Sequence, residues 1–311
     1  MVAPSRSGGR TLREGPPPFD YQAPTTLSEA VTLLRERGDM ARPFAGATDL
    51  LVQVRNGRFD VDLLVDLKKI PELNVLSYDP TTGATIGASV PCYRIYEDSR
   101  VQANYPGLID SVTIIGGIGI QGRATIGGNL CNSSPSGDSI PALIVHDATC
   151  NITGPGGNRS VPVADFCTGP GRNVLESGEV LVSVTIPPPS ARFGSHYLRF
   201  IPRNEMDIAV VGAGASVVLS EDLSTIQEAR LALAAVAPTP LSVPAAGEAL
   251  RGKKISDEAI EAAAEAARQA ARPISDMRGT AEQRRHLVGV LTRRALLGAI
   301  ERAKGGDVRG H

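Results

Sequence analysis

The segment TIGGNLCNSSPSGD at Thr125–Asp138 and the shorter PFAGATDL at Pro43–Leu50, about 80 residues upstream, decide how this chain is read. Each holds a short loop, Thr125-Ile126-Gly127-Gly128-Asn129 or Ala45-Gly46-Ala47-Thr48-Asp49, that follows a β-like run. Each loop offers consecutive backbone amides with little side chain in the way, plus one small hydroxyl, Thr48 or Thr125. Such amides, in a concave nest or at a helix start, suit a diphosphate without any Lys or Arg. Two ordinary tight turns are the plainer alternative.

Other glycine patterns carry less. Gly117-Ile118-Gly119-Ile120-Gln121-Gly122 matches G-x-G-x-x-G letter for letter. A dinucleotide fold needs a helix opening on the third glycine and an acidic residue about 20 positions on. Here Thr125-Ile126-Gly127-Gly128 follows, and its β-branched residues and glycines read as something other than a helix. In Val211–Val217 a valine replaces the third glycine, so this run reads as a closely packed strand.

Composition fits backbone-loop binding. Of 311 residues, 33 are Gly and 23 Pro, together 56 or 18%, against an average of about 12%. Tryptophan is absent and aromatics are 4%, which argues against base stacking. A formal net charge of −1 leaves no field to draw nucleic acid or an anionic membrane. No window approaches the roughly 18 apolar residues of a membrane span, and no apolar leader region opens the chain, so a reducing cytoplasm is expected. Cys92, Cys131, Cys150 and Cys167 have no CxxC spacing, so neither a zinc nor an iron–sulfur loop is indicated. The four histidines, His146, His196, His286 and His311, are too scattered to mark a metal site. The arginines of the last helix (Arg284, Arg285, Arg293, Arg294, Arg302) read as a solvated face, or more sharply as a subunit interface.

The length suits two domains. Residues 1–18 are Gly/Pro-rich and polar and read as a mobile tail. Thr26 and Glu29 form a capping box for a helix running to Gly38. A strand Arg42–Ala45, a short helix Leu50–Arg55 and a strand Val61–Asp66 complete a first α/β unit, about 19–74. A second, about 75–190, has strands at Thr85–Ala88, Asn151–Thr153 and Val180–Ile186 and helices at Arg94–Val101 and Ser139–Val145. Pro187-Pro188-Pro189 ends it. Residues 196–305 hold apolar strands Val210–Leu219 and Glu228–Ala237, an Ala-rich helix capped by Ser256 and stopped by Pro273, and a last helix from Thr280 to Ala303, an α+β arrangement.

Taken together, TIGGNLCNSSPSGD and PFAGATDL resemble the flavin-binding (medium) subunits of molybdenum hydroxylases of the carbon monoxide and xanthine dehydrogenase type. VDLKKIPEL (Val65–Leu73), VPVADFCTGPGRNVLESGEVLVSVTIP (Val161–Pro187), YLRFIPRNEMDIAVVGAGASV (Tyr197–Val217), ARLALAAVAPTP and PISDMRGTAEQRRHLV are similar to further parts of that family, so the resemblance covers about residues 20–304. It implies an α+β protein: a two-subdomain FAD-binding fold of the vanillyl-alcohol-oxidase/PCMH type over 19–190, then a C-terminal domain of three strands and several helices over 196–305.

The resemblance also implies FAD between the two α/β units. Ala45, Gly46, Ala47, Thr48, Asp49 and Leu50 with Thr125, Ile126, Gly127, Gly128 and Asn129 would hold its diphosphate. Ser134 and Asp138 would lie near the ring or ribityl chain, Leu181 would give an apolar contact, Arg199 would stand where Lys is frequent, and Ile208 would face the ring. No residue of this chain is implied as catalytic or metal-binding. Molybdopterin would sit in a large partner subunit and two [2Fe–2S] clusters in a small one, two copies of each subunit assembling. Electrons would reach FAD from the clusters and leave to NAD, a quinone, a carrier or O2. Gly122 stands where the pattern has Asn, so no contact is implied there. Ala47 stands where many relatives have Gly, which requires Ala47 to keep a negative φ. Cys131 is the one residue placed to raise the question of a covalent flavin link, and His196 lies next to the ring-side segment. A self-sufficient FAD oxidase of the same broad fold, or a cofactor-free nucleotide-binding assembly module, is the rival reading.

Overall fold

The computed structural model describes residues 18–203 and 206–310. All but the last residue of the expected N-terminal tail lie outside them.

The first unit is a parallel three-stranded sheet in the order Asp20–Gln22, Leu63–Asp66, Ala41–Phe44. Helix Leu27–Arg37 covers it, with Ala30 and Leu34 packed against Leu63 and Val65. Thr26 caps this helix by accepting from the Glu29 amide at 3.2 Å, while the Glu29 carboxylate reaches back to the amide of Thr25. Strand Ala41–Phe44 returns to Leu63–Asp66 through helix Leu50–Arg55, whose bounds match the sequence reading. A parallel crossover puts the turn after its first strand at the strand's C-terminal end, the usual place for a ligand in α/β units.

The second unit is an antiparallel sheet ordered Leu76–Asp79, Gly83–Gly87, Val180–Ile186, Thr149–Gly154, Gly157–Pro162. The helix expected at Arg94–Val101 is two, Cys92–Glu97 and Ser99–Asn104. Asp98 divides them because its carboxylate caps the second, accepting from the amides of Arg100 and Val101. The literal G-x-G-x-x-G forms one helical turn, Ile118–Gln121, with Ile118 exposed.

The C-terminal unit has three long antiparallel strands, Phe193–Phe200, Val211–Leu219 and Thr225–Ala234, and two-residue strands Leu241–Ser242 and Lys253–Lys254 extend the last. Helices Pro244–Leu250, Asp257–Ala270 and Ala281–Ala303 back the sheet. Strand Phe193–Phe200 was not expected. Its inward residues include Gly194, Ser195 and His196, so it lacks apolar alternation. Glycine at 194 lets it lie on the long helix, where a Cβ would fall 2.0 Å from the Ala299 carbonyl oxygen. Among the described residues, no helix is long and apolar enough to cross a membrane.

Candidate functional site

The two glycine loops, far apart in sequence, meet in space. At Gly46 a Cβ would lie 2.0 Å from the Arg123 carbonyl oxygen, so only glycine lets the first loop rest on the backbone entering the second. The Arg123 Nε donates to the Gly46 carbonyl at 3.3 Å. Behind them, the Gln53 amide nitrogen donates to Asn132 Oδ1 at 2.9 Å and ties together the helices that follow each loop. A cleft of about 420 Å³ opens over this junction. Ala45, Gly46, Ala47, Thr48, Asp49 and Leu50 form one wall, and Thr125, Gly128 and Asn129 another.

In the first loop, Ala47 has φ +59°, which corrects the requirement for a negative angle. The conformation persists because the close approach at Gly46 and the start of the helix, where the Leu51 amide donates to the Ala47 carbonyl at 3.2 Å, fix both sides of it. A left-handed residue at this point helps form an anion-binding nest of successive amides. Among the described residues, the amides of Gly46, Ala47, Thr48 and Asp49 have no hydrogen-bond acceptor. Since backbone amides in folded proteins are otherwise nearly all paired, such a row marks a place for a ligand or solvent. Asp49 reaches solvent, yet the crowding walls partly desolvate its carboxyl and raise its pKa.

The second loop corrects the sequence reading that no helix follows the Gly-rich motif. Ile126–Asn132 is helical, because Thr125 caps it, its hydroxyl oxygen accepting from the Gly128 amide at 2.8 Å. Gly127 is the position where this helix packs on Ala88, leaving 2.5 Å between a Cβ and the Ala88 carbonyl. Ile126 is wholly buried in the core and, like Gly127, does not line the cleft. Gly128 does line it and is open there, since a Cβ would meet only Thr125 Oγ1, at 3.1 Å. Asn129 is held by Ser139, whose hydroxyl donates to its Oδ1 at 2.7 Å.

The remaining expected residues lie outside the walls of this cleft. Leu181 is buried in the core on strand Val180–Ile186. Ser134 shares a hydrogen bond with Ser136 at 3.0 Å. Asp138 and Arg199 form a buried ion pair at 2.7 Å, and the Tyr197 hydroxyl donates to the same carboxylate at 2.8 Å. Burial pushes the Asp138 carboxyl up to about 6, with Arg199 and Tyr197 opposing. Ile208 is half exposed on the segment after strand Phe193–Phe200. His196 is not at the cleft. It donates from Nδ1 to Asp110 at 2.7 Å, between the second and C-terminal units. Arg302, half-buried, joins that carboxylate at 2.6 and 2.9 Å, and buried Arg284 donates to the Val210 carbonyl at 2.6 Å, so these two arginines are internal braces and correct the solvated-face reading. Cys131 lines the cleft, but burial pushes its thiol up to about 12, which leaves no thiolate for covalent chemistry near neutral pH.

Several wall residues escaped the sequence reading, among them Ile115, Arg42, Phe59 and Gln53. Arg42 stacks on the Phe59 ring with its guanidinium carbon 4.3 Å from the centroid, a contact that no spacing announces. Gln53 had a readable signal: it lies one helical turn after the first loop, on helix Leu50–Arg55.

Residues 17–189 match the family model described as the FAD binding domain in molybdopterin dehydrogenase, and residues 196–299 match the CO dehydrogenase flavoprotein C-terminal domain. The chain belongs to this family. It is 32% identical to a xanthine dehydrogenase FAD-binding subunit of Escherichia coli O157:H7, over 92% of this chain and 97% of that one. It is 33% identical to the carbon monoxide dehydrogenase medium chain of Hydrogenophaga pseudoflava, over 92% and 99%. In the solved structure of the carbon monoxide dehydrogenase from H. pseudoflava, which lacks the Mo-pyranopterin moiety, one chain superposes with a TM-score of 0.88 at 34% identity, covering 92% of this chain and 99% of that one. The fold is thus the two-subdomain FAD-binding fold with its sheet-and-helix C-terminal domain, and FAD is the cofactor of this family of oxidoreductases. The cleft fits it: a row of unpartnered amides beside a glycine-cleared second loop is what an uncrowded diphosphate requires.

Proposed function

We propose that this chain is the FAD-carrying electron-transfer subunit of a cytoplasmic molybdenum hydroxylase complex. It would work beside a large molybdopterin subunit and a small subunit with two [2Fe–2S] clusters, two copies of each assembling. The division of labour would follow the chain, 19–190 binding FAD and 196–305 covering it. The observation that carries the reading is the row of free amides from Gly46 to Asp49 facing a glycine-cleared second loop.

On this reading the amides of Gly46, Ala47, Thr48 and Asp49 bind the diphosphate, and the Thr125 hydroxyl hydrogen, left free while its oxygen caps the helix, donates to it. Asn129, fixed by Ser139, lines the path beyond. Asp138 and Ser134, with Arg199 and Tyr197 reaching Asp138 from the C-terminal unit, would lie beyond the cleft toward the ring or ribityl chain, and Ile208 would supply an apolar surface open to solvent. FAD, when bound, would supply the redox chemistry between the partner clusters and an external acceptor (NAD, a quinone, a carrier or O2), while this chain's residues supply binding, orientation and electrostatics. The assembled complex should show flavin absorbance and release FAD on denaturation. A complex with its metal centres and no FAD would refute the proposal.

A further inference from the structure

The first loop is held from behind by two cations that lie outside the cleft walls. Lys68 Nζ donates to the Ala45 carbonyl at 3.2 Å and to Asp66 Oδ1 at 2.7 Å, and stands 4.5 Å from the centroid of the Phe44 ring. Tyr21 completes the brace, its hydroxyl donating to Asp66 Oδ2 at 2.7 Å. Burial alone would raise the Asp66 pKa, but the bonds from Lys68 and Tyr21 prevail and keep the carboxylate ionised. The next carbonyl, that of Gly46, is held by Arg123 Nε at 3.3 Å. Every peptide here is trans, so in each plane the N–H points opposite to the C=O. Pulling the Ala45 and Gly46 oxygens toward the cations therefore turns the Gly46 and Ala47 amides the other way, and both residues line the cleft.

We infer that Lys68 and Arg123 are positioning residues that preset two peptide dipoles for the FAD diphosphate without touching it, an inference that rests on the proposed FAD site. Preorganisation of this kind lowers the cost of binding, because the loop's amides need not be reoriented when the anion arrives.

The test uses the assembled complex, stripped of flavin and titrated with FAD or with riboflavin, which lacks the phosphates. Lys68→Met should raise the Kd for FAD about tenfold, the equivalent of one charge-assisted hydrogen bond. It should leave riboflavin affinity unchanged, and Lys68→Arg should restore FAD binding. Arg123→Met, on an exposed side chain, gives a second variant that does not threaten folding and should show the same selectivity more weakly. Unchanged FAD affinity in both Met variants, or equal loss of FAD and riboflavin, would overturn the inference. A wild-type complex that binds neither flavin would overturn the proposed function itself.

Discussion

Two regions of this molecule concentrate polar groups, and they treat them in opposite ways. At the junction between the second and C-terminal units, Asp110 accepts from His196 Nδ1, from the Tyr197 amide and twice from Arg302, all within 3.0 Å. Beside it, His146 donates from Nδ1 to the Ala142 carbonyl at 2.6 Å and accepts from the Ser195 hydroxyl at 2.9 Å. Burial lowers that imidazole to about 4, so it stays neutral and fits this pattern. In the first glycine loop, four amides in succession have no acceptor among the described residues. Complete pairing at a buried site is what structure requires, whereas a row of unpaired donors in a cleft is what a ligand requires. A cluster of titratable side chains would ordinarily draw attention as an active site. Here that cluster is a brace, and the proposed site is built from backbone instead.

The sharpest way to break the contrast is to empty the brace. Asp110→Ala would leave buried His196 and half-buried Arg302 without their shared acceptor, and should cost about 3–5 kcal/mol of stability. Denaturant unfolding of the complex should register this, while any complex that still folds should keep its FAD. Selective loss of FAD with unchanged stability would mean that the junction belongs to the site after all.

The mirror experiment is at the glycines, where the two positions should behave differently. Gly128→Val places its side chain in the open cleft, beside nothing but Thr125 Oγ1, so it should abolish flavin retention and leave the unfolding midpoint of the flavin-free protein nearly unchanged. Gly46→Val drives a Cβ into the Arg123 carbonyl, which is backbone and cannot swing away, so it should lose both flavin and stability. Extractable FAD and thermal melting, measured on the same preparations, separate the two outcomes.

Both loops could be picked out because an open backbone turn leaves a local mark, glycine and a small hydroxyl within five residues, and the structure brings them to one cleft. The capped helices at Thr26 and Ser256 and strand Val180–Ile186 were legible for the same reason, since caps and periodicity are short-range signals. What failed was long-range. Asp110 and Arg302 are 192 positions apart, and nothing near Arg302 distinguishes it from the exposed arginines of its helix. Strand Phe193–Phe200 was hidden because its buried run, Gly194-Ser195-His196-Tyr197, is mostly polar or small and does not alternate with exposed residues. The helix Ile126–Asn132 was hidden by low intrinsic propensity, which the Thr125 cap and packing on Ala88 override.

Two carboxylates of the same junction sharpen the comparison through pH. Burial tends to raise Asp110, but hydrogen bonds from His196 and Arg302 outweigh it and hold the pKa below 3.8. Its stabilising contribution is thus present above that ordinary value and is lost as pH falls through the folded one. Asp138 has fewer donors, and burial lifts it to about 6. The folded state then binds the proton more tightly than the unfolded chain does, so this group costs stability at neutral pH and the cost disappears as pH falls through 6 toward 4. The size is on the order of 3 kcal/mol. Asp138→Asn should flatten the unfolding free energy between pH 4 and 7 without altering the loss below pH 4. A wild-type profile that is already flat between 4 and 7 would mean that Arg199 and Tyr197 satisfy Asp138 as fully as Asp110 is satisfied.

The smallest effect is expected at Ala47, where the two demands meet in one residue. Its left-handed conformation costs an alanine about 1–2 kcal/mol, and glycine would remove that cost. Against this, glycine gives back roughly 0.5–1 kcal/mol through the greater freedom of the unfolded chain, and it deletes a buried methyl, worth about 0.8 kcal/mol. Opposing effects of similar size should leave Ala47→Gly within about 1 kcal/mol of the parent by denaturant titration. A β-branched residue has no such balance, so Ala47→Val should lose stability and flavin together. If Ala47→Gly instead binds FAD much more weakly at equal stability, the methyl group is helping to hold the amides in their row. Strain in the loop would then be part of how the cleft is kept ready for its anion.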